Sequence, residues 1–387
     1  MIRWLRLAGL LAAMMATPSI AAPLPPLPTF TPAYEPTGVD ERGMWMEADE
    51  AERQMRDSAL VMRDPALNAY VRSVLCRTVG DDRCRSVRIY IQHLPYFNAT
   101  MYPNGMMTVW SGLLLRVRDE AELAAVLGHE FAHFEKRHTL DGFKRARGAG
   151  DLLMWTSMVS PTVYSAMAVS TIGSLFAFSR AQEQEADLLG LAYLTASPYP
   201  AASAANIWDR IMAEEDATAA GRKRKSTARR YSAGFFASHP TDVVRATYLR
   251  ETALKTNDPG DPAAVAFRTA LAPWMPTFLA DQIKLNDFGG SDYLLGQLAT
   301  DGWTPDLLYA RAELYRLRGN PRDLMSAAQL YREAIDKGLA DPEAERGMGL
   351  ALLRSQQPEP GKAALRRYLE RKPGAQDATM IATLIAQ

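Results

Sequence analysis

The chain has 387 residues, long enough for two or three domains with real cores. Basic and acidic residues balance at 44 each, and no clustered basic excess of the kind nucleic acid requires is present, so nucleic acid is excluded as a partner. A composition rich in Ala, Leu and Met points to a mainly α protein.

Residues 1–21 read as a secretory signal. Arg3 and Arg6 give the positive start, Leu7–Met15 a short apolar core, and Ser19-Ile20-Ala21 the small residues of a cleavage site after Ala21. The apolar run is too short to span a bilayer comfortably, and no cysteine follows it for lipid attachment. The expectation is export, to the periplasm in a Gram-negative cell. A proline-rich arm occupies 22–40.

Glu41–Ser58 is charged and helix-prone. Asp64–Leu75 predicts an amphipathic helix whose stripe is Leu67, Val71, Val74 and Leu75. Cys76 and Cys84 are the two cysteines of the chain. In an oxidising compartment they are expected to form a disulfide, with free buried thiols as the alternative. Neither lies near a histidine in sequence, so neither is read as a ligand.

Val87–His93 alternates like a strand. Asn98–Tyr102, the turn Pro103-Asn104-Gly105 and Met106–Trp110 read as a hairpin. An edge strand beside a catalytic metal can receive an extended substrate by strand addition, and Asn98, Ala99 and Thr100 are assigned to that role. A small stabilising sheet is the compatible alternative. His93 is given no role.

The chemistry centres on Val126–His138, VLGHEFAHFEKRH. His129 and His133 stand at i and i+4, one above the other on a helix, with Glu130 beside the first. This is the H-E-x-x-H zinc signature: two imidazoles hold one ion, and the glutamate reaches a water activated there. Acidic residues at Asp119, Glu120 and Glu122 open the helix near its positive dipole end. Leu123, Val126, Leu127, Phe131 and Phe134 surround the polar trio, company that unliganded surface histidines rarely keep. One Zn2+ per chain is expected, with Glu130 as the base that takes a proton from the attacking water and returns it to the leaving nitrogen.

Leu152–Ser179 carries no charge and is long enough to span a bilayer, but Pro161, Gly173 and many Ser and Thr interrupt it. The expectation is one or two amphipathic helices covering the site or touching a membrane surface.

A catalytic zinc needs a third protein ligand and an open position. In SRAQEQEAD, Glu183 and Asp187 share a helix face: Glu183 is the candidate ligand, and Asp187 the acceptor for a ligand imidazole, His129. Glu185 is the rival ligand, but it points roughly opposite to Glu183. Gly221–Arg230 is a dense basic run, read as a solvated loop or a contact for anionic lipid. Phe235–Arg250 supplies His239 and Arg245 as candidates to stabilise the oxyanion.

HEFAH, then SRAQEQEADLLG, then SHPTDVVR, with NATMYPNG before them and Arg137-His138 after the zinc helix, resemble the gluzincin metalloendopeptidases. That group includes the HtpX heat-shock proteases and the CAAX prenyl proteases. The resemblance covers about residues 41–250. It implies His129, His133 and Glu183 as ligands, Glu130 as base, and His239 and Arg245 at positions that bind the oxyanion or block the metal's open site. With a signal segment and a repeat-bearing tail, the chain is similar to the periplasmic BepA-type proteases. In those, the histidine matching His239 can occupy the metal and hold the enzyme latent.

From Trp303 onward the pattern is paired helices. Tyr309, Ala312, Tyr315, Ala327 and Tyr331 recur in kind as Arg346, Gly349, Leu352, Ala364 and Tyr368, at an offset of 37 residues. Small residues at 312 and 349, alanines at 327 and 364, and Pro342 and Pro373 fit tetratricopeptide-type units, with insertions expected at Arg318–Pro321 and Gln356–Pro360. A plain helical bundle is the alternative.

The expected architecture is therefore a mainly α, gluzincin-like metallopeptidase domain with a small β-sheet at 41–255, connecting helices at 256–302 and an α-helical repeat domain at 303–387. The expected function is zinc-dependent endoproteolysis of misfolded or stalled envelope proteins, outer-membrane proteins among them. The repeats would recruit those substrates or the β-barrel assembly machinery. The rival is a chaperone-like assembly factor with a largely latent site.

Overall fold

The computed structural model describes residues 23–29, 36–142, 180–225, 243–256 and 260–387. The signal segment, Leu152–Ser179, residues 226–230 of the basic run and His239 lie outside the described residues.

Helix α1, Val39–Asp57, opens the described fold. Asp64 caps α2, Pro65–Val79, by accepting the Leu67 N–H at 2.7 Å, and Pro65 fills the first helical position, where its missing N–H costs nothing. The expected stripe of Leu67, Val71, Val74 and Leu75 is fully buried. The short helix α3, Asp81–Cys84, follows, and the structure joins Cys84 back to Cys76 with their Cα atoms 5.1 Å apart.

Three strands form one sheet in the order β1-β3-β2: β1 Arg88–Gln92, β2 Ala99–Met101 and β3 Met106–Trp110. β2 and β3 make the expected hairpin, and β1 runs parallel to β3. The turn needs Gly105: its φ is +89°, and a Cβ there would sit 2.3 Å from the Ser86 carbonyl oxygen. Beneath the turn, Asn104 Nδ2 donates to Asp49 and Glu52 of α1 at 2.9 Å each, while Arg88 Nε donates to Glu52 at 2.6 Å. The outer edge of β1 is closed by residues 60–62, where Met62 N–H meets the Ile91 carbonyl at 2.8 Å.

Helix α4, Ser111–Arg116, leads into α5, Glu120–Glu135. Asp119 caps α5 by accepting the Glu122 N–H at 2.8 Å. Nearly every residue of α5 from Ala121 to His133 is buried, because α2, β2, α6 (Arg180–Thr195) and α7 (Ser203–Gly221) surround it. A helix apolar all round is one that neighbours enclose. Helices α5 and α6 come close at Gly128 and Gly190. A Cβ on Gly190 would lie 3.0 Å from the His129 backbone nitrogen, so the absence of a side chain sets this spacing.

Helix α8, Val243–Leu254, packs on α6 and α7. Next come α9 (Ala264–Leu271), α10 (Met275–Lys284) and α11 (Phe288–Leu298). These share the main core, one cluster that runs from Met62 to Leu314. A buried polar knot ties them in: Arg116 donates to Glu214 at 2.6 and 2.9 Å and to Gln282 of α10 at 2.9 Å.

Four paired helices and a last one complete the chain: α12 Pro305–Arg318, α13 Pro321–Asp336, α14 Glu343–Arg354, α15 Pro358–Arg371 and α16 Ala378–Ala386. Each packs on the next, and α12 also touches α14. Ala312, Ala327 and Ala364 are fully buried, and a Cβ on Gly349 would meet the Leu365 side chain at 2.6 Å. The turn at Arg318–Pro321 holds only Gly319 and Asn320 between helices. The extra repeat length therefore sits elsewhere, in the helices and the 337–342 connection.

Candidate metal centre

Helix α5 presents His129 and His133 on one face, and α6 crosses it to bring in Glu183. The Nε2 atoms of the two histidines are 3.1 Å apart. Glu183 places Oε1 3.5 Å from His133 Nε2 and Oε2 3.6 Å from His129 Nε2. Three corners of a tetrahedron built on zinc bonds of about 2.0–2.1 Å stand about 3.3 Å apart, so these spacings suit one tetrahedral ion. Two imidazoles and a carboxylate are also a donor set that suits zinc. All three side chains are buried. Glu130, next along α5, is buried in the same layer.

The ligand candidates are held from behind. His129 turns Nδ1 to Asp187 Oδ1 at 3.0 Å, the contact that fixes its tautomer and ring angle. Asp187 in turn accepts from Arg245 Nε and Nη2 at 2.8 Å each and from the Tyr248 hydroxyl. Arg245 Nη1 also reaches Glu183 Oε2 at 2.5 Å. Burial pushes the Asp187 carboxyl up, but Arg245 and His129 outweigh it and hold the group well below the usual carboxylate range. The same carboxylate pushes Tyr248 above the phenol range, with burial the larger cause. Arg245 lies over the Trp208 ring of α7, 5.8 Å from its centre, and is only 7% exposed.

Arg245, expected at the oxyanion, is thus placed on the two carboxylates of α6. Glu185, the rival ligand, points away to Lys136 at 2.8 Å and to His138 Nε2 at 3.1 Å. His138 was visible in the sequence only as part of the family match. The structure sets its Nδ1 2.9 Å from His133 Nδ1. Burial pushes its imidazole below the usual range, with Glu185 pulling the other way. Tyr248, Gly128 and Gly190 carry no motif. The small residues are recognisable only once α5 and α6 are known to cross there.

β2 is an edge: among the described residues no strand pairs with its free side. Trp110 N–H donates to the Asn98 carbonyl and Tyr102 N–H to the Met106 carbonyl. Antiparallel ladders alternate, so the backbone groups of Ala99 and Met101 point to the unpaired side of β2, whereas those of Asn98 and Thr100 face β3. Of the three residues assigned to the edge, only Ala99 turns its backbone away from β3, joined by Met101, and both residues are buried. A cavity beside His133 is lined by Met44, Tyr102, Phe134, Arg137 and Leu140. His93, given no role, pairs with Asp281 of α10.

Residues 63–253 match the family model of peptidase family M48. The mitochondrial metalloendopeptidase OMA1 of Schizosaccharomyces pombe is 30% identical over 186 residues, 47% of this chain and 52% of that protein. OMA1 of Arabidopsis thaliana is 30% identical over 132 residues, 33% of this chain and 26% of that protein. The beta-barrel assembly-enhancing protease of Escherichia coli is 28% identical over 164 residues, 38% of this chain and 33% of that protein. The matches span from about a quarter to about half the length of these relatives. The match and the site agree: residues 63–253 form an M48 domain of metalloprotease type.

Proposed function

We propose that this chain is a zinc-dependent endopeptidase of the cell envelope, with His129, His133 and Glu183 holding the ion. The observation that carries the reading is the convergence of those three buried groups at 3.1 to 3.6 Å. Zinc held there supplies Lewis acidity that lets water attack a peptide carbonyl near neutral pH. Glu130 takes the proton of that water and passes it to the departing amine nitrogen. Arg245 and Asp187 keep Glu183 and His129 in place rather than touching substrate. An extended segment of substrate adds to the unpaired side of β2, through the backbone of Ala99 and Met101.

Substrate choice is the finer part of the proposal. The signal-like first segment supports export. Relatives named beta-barrel assembly-enhancing protease support a role in handling envelope proteins. The paired helices α12–α15, with buried small residues at their contacts, support a tetratricopeptide-type array that recruits unfolded or stalled chains, or the machinery that inserts them. The same relatives' name favours one second reading, an assembly factor whose protease site is mostly latent.

The test is degradation of an unfolded outer-membrane protein by the zinc-loaded full chain and by Glu130→Gln. Loss of the base should cost on the order of 10²–10⁴ in rate while zinc content stays the same. Equal degradation by a zinc-loaded variant sinks the enzyme reading.

A further inference from the structure

Helix α5 ends in an unusual way. Lys136 N–H still bonds the Ala132 carbonyl at 3.0 Å, but Arg137 takes a left-handed conformation, φ +56°. A non-glycine residue held there costs about 1–2 kcal/mol, so the surrounding structure must fix it. The result is that residues 138–142 start a new helical turn folded back under α5, and His138 faces His133.

With both rings neutral, the hydrogen-bond chain through His138 orders its protons one way. The carboxylate of Glu185 accepts, so His138 Nε2, 3.1 Å away, carries the hydrogen. His138 Nδ1 is then the acceptor, and the hydrogen in the 2.9 Å contact belongs to His133 Nδ1. That leaves His133 Nε2 with a bare lone pair, and this is the nitrogen that faces His129 and Glu183. Lys136 steadies the far oxygen of Glu185 at 2.8 Å, from the end of the helix that carries both histidines.

We infer that His138 is a positioning residue for the metal, fixing the tautomer and ring angle of His133 as Asp187 does for His129, with Glu185 as its anchor. Each ligand imidazole then has its own backing group, one from α6 and one from the turn after α5. The assignment also gives Glu185, unsuited as a ligand, a function on the face opposite Glu183. It rests on the metal site proposed above, and goes beyond it in assigning two residues that touch neither ion nor substrate.

The test is zinc affinity of the full chain by competition with a metallochromic chelator, together with the visible spectrum of the cobalt-substituted protein. His138→Phe should weaken zinc by about 10–100-fold and shift the cobalt bands, as loss of a ligand's backing group does. His138→Asn keeps an acceptor oxygen near the place of Nδ1 and should restore affinity to within about threefold of the parent. Glu185 is half exposed, so Glu185→Ala folds whatever happens to His138→Phe, and it should weaken zinc by several-fold. Parent-like zinc affinity and cobalt spectrum in His138→Phe, or in Glu185→Ala, would overturn the inference, as would an Asn variant as weak as the Phe variant. A parent that takes up no zinc would instead defeat the metal reading beneath it.

Discussion

Replacement of Arg245 by methionine separates two roles for this side chain. The guanidinium makes two 2.8 Å bonds to Asp187 and one of 2.5 Å to Glu183, and all three groups are buried. Arg245→Met keeps most of the stem volume but strands two carboxylates away from water. Breaking a buried pair by removing one partner costs about 3–5 kcal/mol. At about 2–4 °C per kcal/mol for a domain of this size, the melting midpoint should fall by roughly 6–20 °C. The fall should be larger in the chelated protein, because a bound cation offsets part of the charge on Glu183. Scanning calorimetry with chelator and with zinc measures both, alongside metal content and turnover of an unfolded protein. If the midpoint moves by less than about 2 °C in either state, zinc content holds and only kcat falls, the residue acts on the oxyanion and the placement argued above is refuted.

Three further perturbations address other parts of the site. Gly190→Ala forces a Cβ to within 3.0 Å of the His129 backbone nitrogen and 3.1 Å of its Cα, atoms that cannot swing aside. It should cost about 1–3 kcal/mol and loosen zinc several-fold, and a variant with parental midpoint and affinity would show that the helices have room. Burial, with Glu122 adding to it, raises the Asp119 carboxyl to about 6. Between pH 4 and 6 the folded chain then binds more protons than the unfolded one, so stability falls as pH rises through that window and the penalty is complete above it. Asp119→Asn keeps an acceptor for the Glu122 N–H and removes the charge. It should gain about 3 kcal/mol over the parent above pH 6 and nothing below pH 4, whereas a pH-independent difference in midpoint would contradict the shift. Ala99→Pro deletes an N–H that points to the unpaired side of β2 without touching the β2–β3 ladder. It should lower kcat/KM for long substrates about tenfold with zinc content unchanged, and unaltered turnover would remove β2 from substrate binding.

The sequence by itself determined the chemistry that is local in the chain. His129, Glu130 and His133 sit within five residues, and helical spacing alone stacks the two rings. Glu183 and Asp187 share a face by the same geometry, which also sent Glu185 the other way. The hairpin followed from a turn that only glycine can close at position 105, and the paired terminal helices from buried small residues at a regular offset. What the tertiary structure decided depends on contacts between segments distant in sequence. The crossing of α5 and α6 at Gly128 and Gly190 brings Glu183 to the histidines. The approach of α8 turns Arg245 onto two carboxylates, because burying those charges requires a cation and no local pattern says which one supplies it. Strand pairing decides that Ala99 and Met101, not Asn98 and Thr100, turn their backbone away from β3. The left-handed turn at Arg137 puts His138 behind His133, a placement that a helical reading carried straight through that residue could not contain.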